Sequence, residues 1–220
     1  FDMGGDQGGQ VWIDDVSVVG PAAAAPESEL GTGADNVLNI VEVIDFNSTI
    51  ADYGLTDFGG NASQLTADPT DASNTVLWIT KNADQPWAGT TIAKGNVVYP
   101  LTATELGMSV RVWSPTAGIT VRLKIEESTN GDNFIEADVV TTVAEDWETL
   151  VFDFGSPAGG EFSADHVYDT LSIFMNFNVV GTGESYYVDD IKFIGVITVP
   201  PPATGSDLVT NGSFASGVEG

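Results

Sequence analysis

The stretch Ile119-Thr120-Val121-Arg122-Leu123-Lys124-Ile125-Glu126 alternates apolar and polar side chains without a break. A period of two puts one face of a strand in a core and the other in water. Upstream, Ser109-Val110-Arg111-Val112-Trp113 repeats the pattern. Downstream, Asn130-Gly131 precedes a second extended run from Phe134 to Val143. Asn-Gly between two such runs predicts a tight hairpin turn, because both residues tolerate positive φ. Further strands are expected at Val41 to Asn47, Val76 to Thr80, Glu148 to Phe154 and Leu171 to Asn178. No twelve-residue stretch carries an apolar stripe at helical spacing. The expected fold is all-β: an antiparallel β-sandwich, a jelly roll, with flanking partial modules.

Those partial modules follow from an internal repeat. Trp12-Ile13-Asp14-Asp15-Val16-Ser17-Val18-Val19-Gly20 matches Tyr187-Val188-Asp189-Asp190-Ile191-Lys192-Phe193-Ile194-Gly195 in residue type at a constant offset. Each copy is followed by a Pro-, Ala- and Thr-rich stretch whose composition favours an extended linker. The expected organisation is the last strand of one module over residues 1–20, a linker over 21–36 and a complete module over 37–197. A second linker over 198–206 and the first strand of a third module over 207–220 complete it.

The chain has 220 residues, with 32 Asp and Glu against six Lys and Arg, a net charge of −26. That balance disfavours nucleic acid and anionic membrane surfaces and suits neutral ligands and cations. Hydrophobic residues make up 42%, enough to build a core despite the charge. Cysteine is absent, which rules out disulfides, thiolate metal sites and cysteine nucleophiles. No run of 18 apolar residues and no signal-peptide pattern occurs, so no membrane insertion is expected and any export signal is expected to lie outside this chain.

Several segments in order resemble the secreted jelly-roll carbohydrate-binding modules of marine bacteria that accompany β-glucan-degrading enzymes. They are Ile44-Asp45-Phe46, Gln85-Pro86-Trp87-Ala88-Gly89, Val110-Arg111-Val112-Trp113-Ser114-Pro115, Asp146-Trp147-Glu148-Thr149-Leu150-Val151-Phe152-Asp153-Phe154 and Tyr186-Tyr187-Val188-Asp189-Asp190-Ile191. Asn211-Gly212-Ser213-Phe214 is similar to the opening of cellulose-binding-type modules. The resemblance implies a structural calcium ion where first and last strands meet, with Asp190 and either Asp45 or Glu42 supplying carboxylates; hard cations of this kind take six to eight oxygen ligands. It also implies a secreted or cell-surface location.

Alternation directs Val110, Val112, Val121, Leu123 and Ile125 inward and Arg111, Trp113, Arg122, Lys124 and Glu126 outward, on strands expected to be neighbours. A tryptophan among cations is what a sugar needs, since pyranose C–H bonds lie on an aromatic face while hydroxyls meet charged groups around it. Trp87, with Lys81, Asn82 and Gln85 just upstream, is placed at the rim of the same surface. The ligand-contacting set is therefore Trp113, Trp87, Arg111, Arg122, Lys124 and Gln85, with Tyr53 and Phe58 as weaker candidates. Trp78, inside an apolar run, and Trp147, leading the strand of Leu150 and Phe152, are expected in the core.

Two functional readings follow. One is a non-catalytic module binding a neutral β-glucan. The other is an architectural repeat of an extracellular fibre, adhesin or surface layer, polymerising head to tail through its terminal strands. Catalysis is not expected. His166 is the only histidine and stands in a polar stretch without partners for a relay, and among so many acids no chosen pair of carboxylates identifies a glycosidase.

Overall fold

A computed structural model describes residues 43–48, 53–95 and 98–197. The segments expected to be partial modules and linkers, residues 1–20, 21–36, 198–206 and 207–220, lie outside them. The described chain forms twelve strands: β1 Val43–Ile44, β2 Thr56–Phe58, β3 Asn61–Ala67, β4 Thr75–Lys81, β5 Gly89–Ile92, β6 Gly107–Ser114, β7 Thr120–Glu127, β8 Asn130–Val140, β9 Asp146–Asp153, β10 Gly159–Gly160, β11 Thr170–Phe174 and β12 Glu184–Gly195. The first sheet runs β3-β4-β12-β6-β9 with β1 added on β12; the second runs β10-β8-β7-β11-β5-β2. Every described pairing is antiparallel, and no described residue is helical. This is the sandwich that the period-two pattern predicts.

The inward set is sealed between the sheets. Val110, Val112, Val121, Leu123 and Ile125 have no exposed surface and pack with Leu77, Ile79, Phe152, Ile173 and Val188. Burying side chains of this size stabilises by about 1.5–3 kcal/mol each.

Three expectations need correction. First, β6 and β7 are not neighbours: β6 pairs with β12 and β9, whereas β7 pairs with β8 and β11. Their outward residues therefore face opposite sides of the molecule. Second, the β7–β8 turn falls at Ser128-Thr129, with Glu127 paired to Asn130 and a register shift that leaves the following residues outside regular pairing. The Asp169 carboxylate holds the turn in this place, accepting hydrogen bonds from the Ser128 N–H (2.6 Å) and hydroxyl (2.7 Å). Third, the Leu171 to Asn178 run stops being a strand at Phe174.

Asp190 adopts φ 47°, within a register shift between Asp189 and Lys192. Adjacent strand residues otherwise point to opposite faces. The bend lets the Asp190 N–H donate back to the Asp189 carboxylate at 2.8 Å.

Candidate functional site

The outer face of the second sheet gathers three of the six expected ligand residues, Trp87, Arg122 and Lys124; the Gln85 side chain instead donates to Asp84 at 2.9 Å. Trp87 is 48% exposed. It stands in the β4–β5 connection, where the Ala88 N–H donates to the Gln85 carbonyl in a turn. Its ring stacks on Phe58 of β2 at 6.2 Å and 21°. Phe58 meets Phe174 edge-on at 5.5 Å, and Phe174 meets Phe177 at 5.6 Å. The Arg122 guanidinium lies 3.8 Å from the Phe177 ring centroid. Register explains the line, since Phe58 pairs with Gly89 and Phe174 with Arg122, which in turn pairs with Asp138. Trp87, Phe58 and Phe177 thus reach the surface along a line joined by the buried Phe174, and the line ends on a cation.

Beyond that line lies an ion-paired floor. Arg122 donates to both Asp138 oxygens (2.6 and 2.8 Å) and to Glu136 (2.7 Å), a forked arrangement that fixes the guanidinium plane. The Asp138 hydrogen bond raises the Arg122 pKa further, so its charge is permanent. Lys124 donates to Glu126 at 2.5 Å, and its ammonium sits 4.8 Å from the Phe134 ring centroid. The Thr91 and Ser172 hydroxyls bond each other at 2.8 Å one strand further on. Two cations against three carboxylates leave the floor close to neutral.

Sequence reading missed Phe174 and Phe177 because it extended β11 too far. The available signal was Asn176-Phe177-Asn178: both asparagines adopt left-handed φ (47° and 66°), and asparagine is the non-glycine residue readiest to do so.

The opposite outer face carries Arg111 and Trp113 in a different environment. Trp78, Tyr187, Trp113 and Trp147 lie in one cross-strand row over β4, β12, β6 and β9. All four are half-buried. This corrects the expectation that Trp78 and Trp147 are core residues. Parity settles it, since Leu77 and Ile79 point inward and so do Leu150 and Phe152. The rings meet edge-on or tilted, as Phe58, Phe174 and Phe177 do on the other face: Trp113 meets Tyr187 at 78°, and Trp147 meets it at 55°. Arg111 covers the Trp147 ring at 3.9 Å and pairs with Asp68 (3.2 Å) and Asp189 (3.1 Å). The Trp147 indole N–H donates to Asp68 at 3.1 Å. These groups are occupied by one another.

The remaining candidates fall elsewhere. Tyr53 is buried against Phe46, its hydroxyl accepting the Ser48 N–H, so it presents nothing to a ligand. Lys81, expected near the surface, is fully buried. Glu42 lies outside the described residues. β1 pairs with β12 so that Ile44 faces Ile191, which brings Asp45 to the level of Asp190. Asp190 already sits 3.3 Å from the Lys192 ammonium, and Asp45 accepts the Asn47 N–H at 3.1 Å. Among the described residues no three acidic or histidine side chains form a metal-ready group, and two carboxylates are fewer ligands than calcium takes. His166 Nδ1 has no hydrogen-bond partner.

No family model and no curated protein matches the chain. Solved structures do. A family 11 carbohydrate-binding module from Clostridium thermocellum, in complex with a β-1,3-1,4-mixed-linked tetrasaccharide, is 18% identical over 72% of this chain and 97% of that one, with a TM-score of 0.49. The family 22 xylan-binding domain from Paenibacillus barcinonensis is 17% identical over 71% and 94%, with a TM-score of 0.48. A mutant family 29 carbohydrate-binding module is 11% identical over 73% and 97%, with a TM-score of 0.44. No helix among the described residues is long and apolar enough to cross a membrane.

Proposed function

We propose that the protein is a non-catalytic carbohydrate-binding module that holds a neutral β-glucan across the outer face of the second sheet. The supporting observation is the exposed Trp87 stacked on Phe58, linked through the buried Phe174 to Phe177 and Arg122, beside a floor of paired charges. Aromatic rings take the C–H face of a sugar, and fixed, paired charges offer hydrogen bonds to hydroxyls without reorganising. An ionic glycan gains little here, because Arg122 and Lys124 have no charge left to give and the chain as a whole repels anions. We place the module in a secreted or cell-surface multi-module protein, the repeat at Trp12 and Tyr187 being its motivation.

The test is binding of a soluble β-glucan of laminarin type, read by calorimetry. Trp87→Ala should weaken binding by about tenfold to a hundredfold, the 1–3 kcal/mol expected when one stacking contact is lost. Trp113→Ala, on the opposite face, should change it less than about threefold. The reverse ranking would move the site to the first sheet. The calcium implied by the resemblance would need backbone carbonyls to complete a site with Asp45 and Asp190 at the β1–β12 junction, and is tested separately. Chelation should then lower Tm, since an ion bound only by the folded state stabilises it; an unchanged Tm removes calcium from the account.

A further inference from the structure

Lys81 is the last residue of β4 and shares the inward parity of Leu77 and Ile79. Its side chain therefore runs between the sheets instead of into water, and the residue has no exposed surface. The ammonium donates to three backbone carbonyls: Met175 at 2.7 Å, Asn176 at 2.9 Å and Pro86 at 3.0 Å. Three N–H groups meet three acceptors, the whole donor capacity of a lysine. Pro86 immediately precedes Trp87, and Asn176 immediately precedes Phe177, so these carbonyls belong to the two loops that bear the ends of the aromatic line. The loops also bond each other, the Asn178 N–H donating to the Pro86 carbonyl at 3.1 Å. Asn176 and Asn178 both hold left-handed φ, a conformation that persists only where its surroundings impose it. The backbone of Lys81 is itself gripped, since its carbonyl accepts the Gly183 N–H at 2.9 Å and a Cβ on Gly181 would lie 2.2 Å from that oxygen.

We propose that the Lys81 ammonium is a positioning residue for the glycan face, an internal cation that gathers backbone oxygens as a bound metal would and thereby fixes Trp87 and Phe177 relative to each other. It touches no ligand. The proposal rests on the reading of that face as the binding surface, but its own consequence, order in the two loops, exists without ligand.

The titratable groups around Lys81 are Glu184, opposite it in register on β12, and Tyr186, whose side chain bonds Asn176. Burial draws the Lys81 ammonium down to about 8, with Glu184 pulling it back up. Burial chiefly, then Glu184, raises Tyr186 to about 12, and Glu184 is held below its ordinary value, so neither changes charge between pH 7 and 9. The neutral amine has two N–H groups for three carbonyls. Above pH 8 the loops should loosen, yet from about 8 to 10.5 the unfolded chain binds the proton that the folded chain has released, so this group's contribution to stability rises with pH. Above pH 8, loop order and this group's contribution to global stability thus move in opposite directions.

The experiment is amide hydrogen exchange on the full chain, with exchange at residues 87–88 and 175–178 referred to that in β6 and β7. Lys81→Met should speed exchange in both loops by about tenfold relative to those strands and weaken laminarin-type glucan binding by about tenfold. Lys81→Arg, which keeps the charge, should recover part of both. The wild-type chain at pH 9, corrected for intrinsic exchange, should show the same loop-confined increase over pH 7, and this comparison stands even if Lys81→Met fails to fold. Unchanged relative exchange in the two loops, in the variant or at pH 9, overturns the proposal. If the loops loosen as expected but Trp87→Ala binds glucan normally, Lys81 keeps its role and the binding face is what fails.

Discussion

Asp68 shows how one buried charge is made tolerable. Burial pushes its carboxyl up, but hydrogen bonds from the Thr70 N–H and hydroxyl, Asn74 and the Trp147 indole outweigh that and hold it at about 2. Its neighbour Asp189 goes the other way, raised by burial against the hydrogen bonds from Asn74 and the Asp190 N–H. The sign for Asp68 follows from its lying below the ordinary 3.8: the stabilisation is complete above about pH 4 and is lost as pH falls through 2. Denaturant titrations should show the wild type losing on the order of 2 kcal/mol more than Asp68→Asn over that interval. Trp147 fluorescence should follow the same titration, because its N–H donates to the titrating group. Equal pH profiles in the two proteins would show that Asp68 is not held as described. At the same scale Arg111 has been drawn into this network, which is why a residue that looks like a ligand contact in sequence works as a brace for Trp147.

Among the elements, β10 is the one that backbone geometry most nearly forbids to other residues. It consists of Gly159 and Gly160, paired with Glu136 and Ile135 on the edge of the second sheet. Gly160 holds φ 69°, and a Cβ there would lie 2.1 Å from the Phe134 carbonyl oxygen. Gly118, by contrast, holds φ 81° with nothing within 4 Å. Gly118→Ala should cost about 1 kcal/mol, the strain of a left-handed alanine alone. Gly160→Ala should cost more, about 2–4 kcal/mol, because β10 must also leave β8. Urea denaturation with unchanged m separates the two. Should the two variants lose equal stability, the close approach to Phe134 would not be a feature of the folded state. Since Glu136 also bonds Arg122, Gly160→Ala is expected to disturb the binding floor from its edge.

For the molecule as a whole, a charge of −26 is a standing repulsion that packing must overcome. The described ion pairs are few; only Lys192–Asp190 has both side chains exposed, where a pair contributes roughly 0–1 kcal/mol, and the others are partly buried and little screened by salt. Screening should therefore help more than it harms: raising sodium chloride from about 10 mM to about 500 mM should raise Tm by several degrees, since the Debye length shrinks from about 30 Å to a few ångströms. A Tm that falls with salt would mean that the ion pairs outweigh the repulsion. Glucan binding should change little over the same range, because the ligand is neutral and the floor is already paired.

What the sequence determined by itself is the period-two alternation, and with it strands, sandwich and the inward or outward direction of Val110, Arg111, Leu123 and Lys124, because side-chain parity is a local property of an extended backbone. Parity also held the correct answer for Trp147, obscured by the habit of assigning large aromatics to cores. Only the tertiary structure decided which outward residues share a surface. Strand order depends on pairings between distant segments, so β6 and β7, close in sequence and alike in pattern, came to lie in different sheets. The same non-local packing held the β7–β8 turn at Ser128-Thr129 through Asp169, buried Lys81 against Met175 and Asn176, and lined Phe174 and Phe177 up with Trp87. Such outcomes depend on contacts across tens of residues, which no local window of sequence contains.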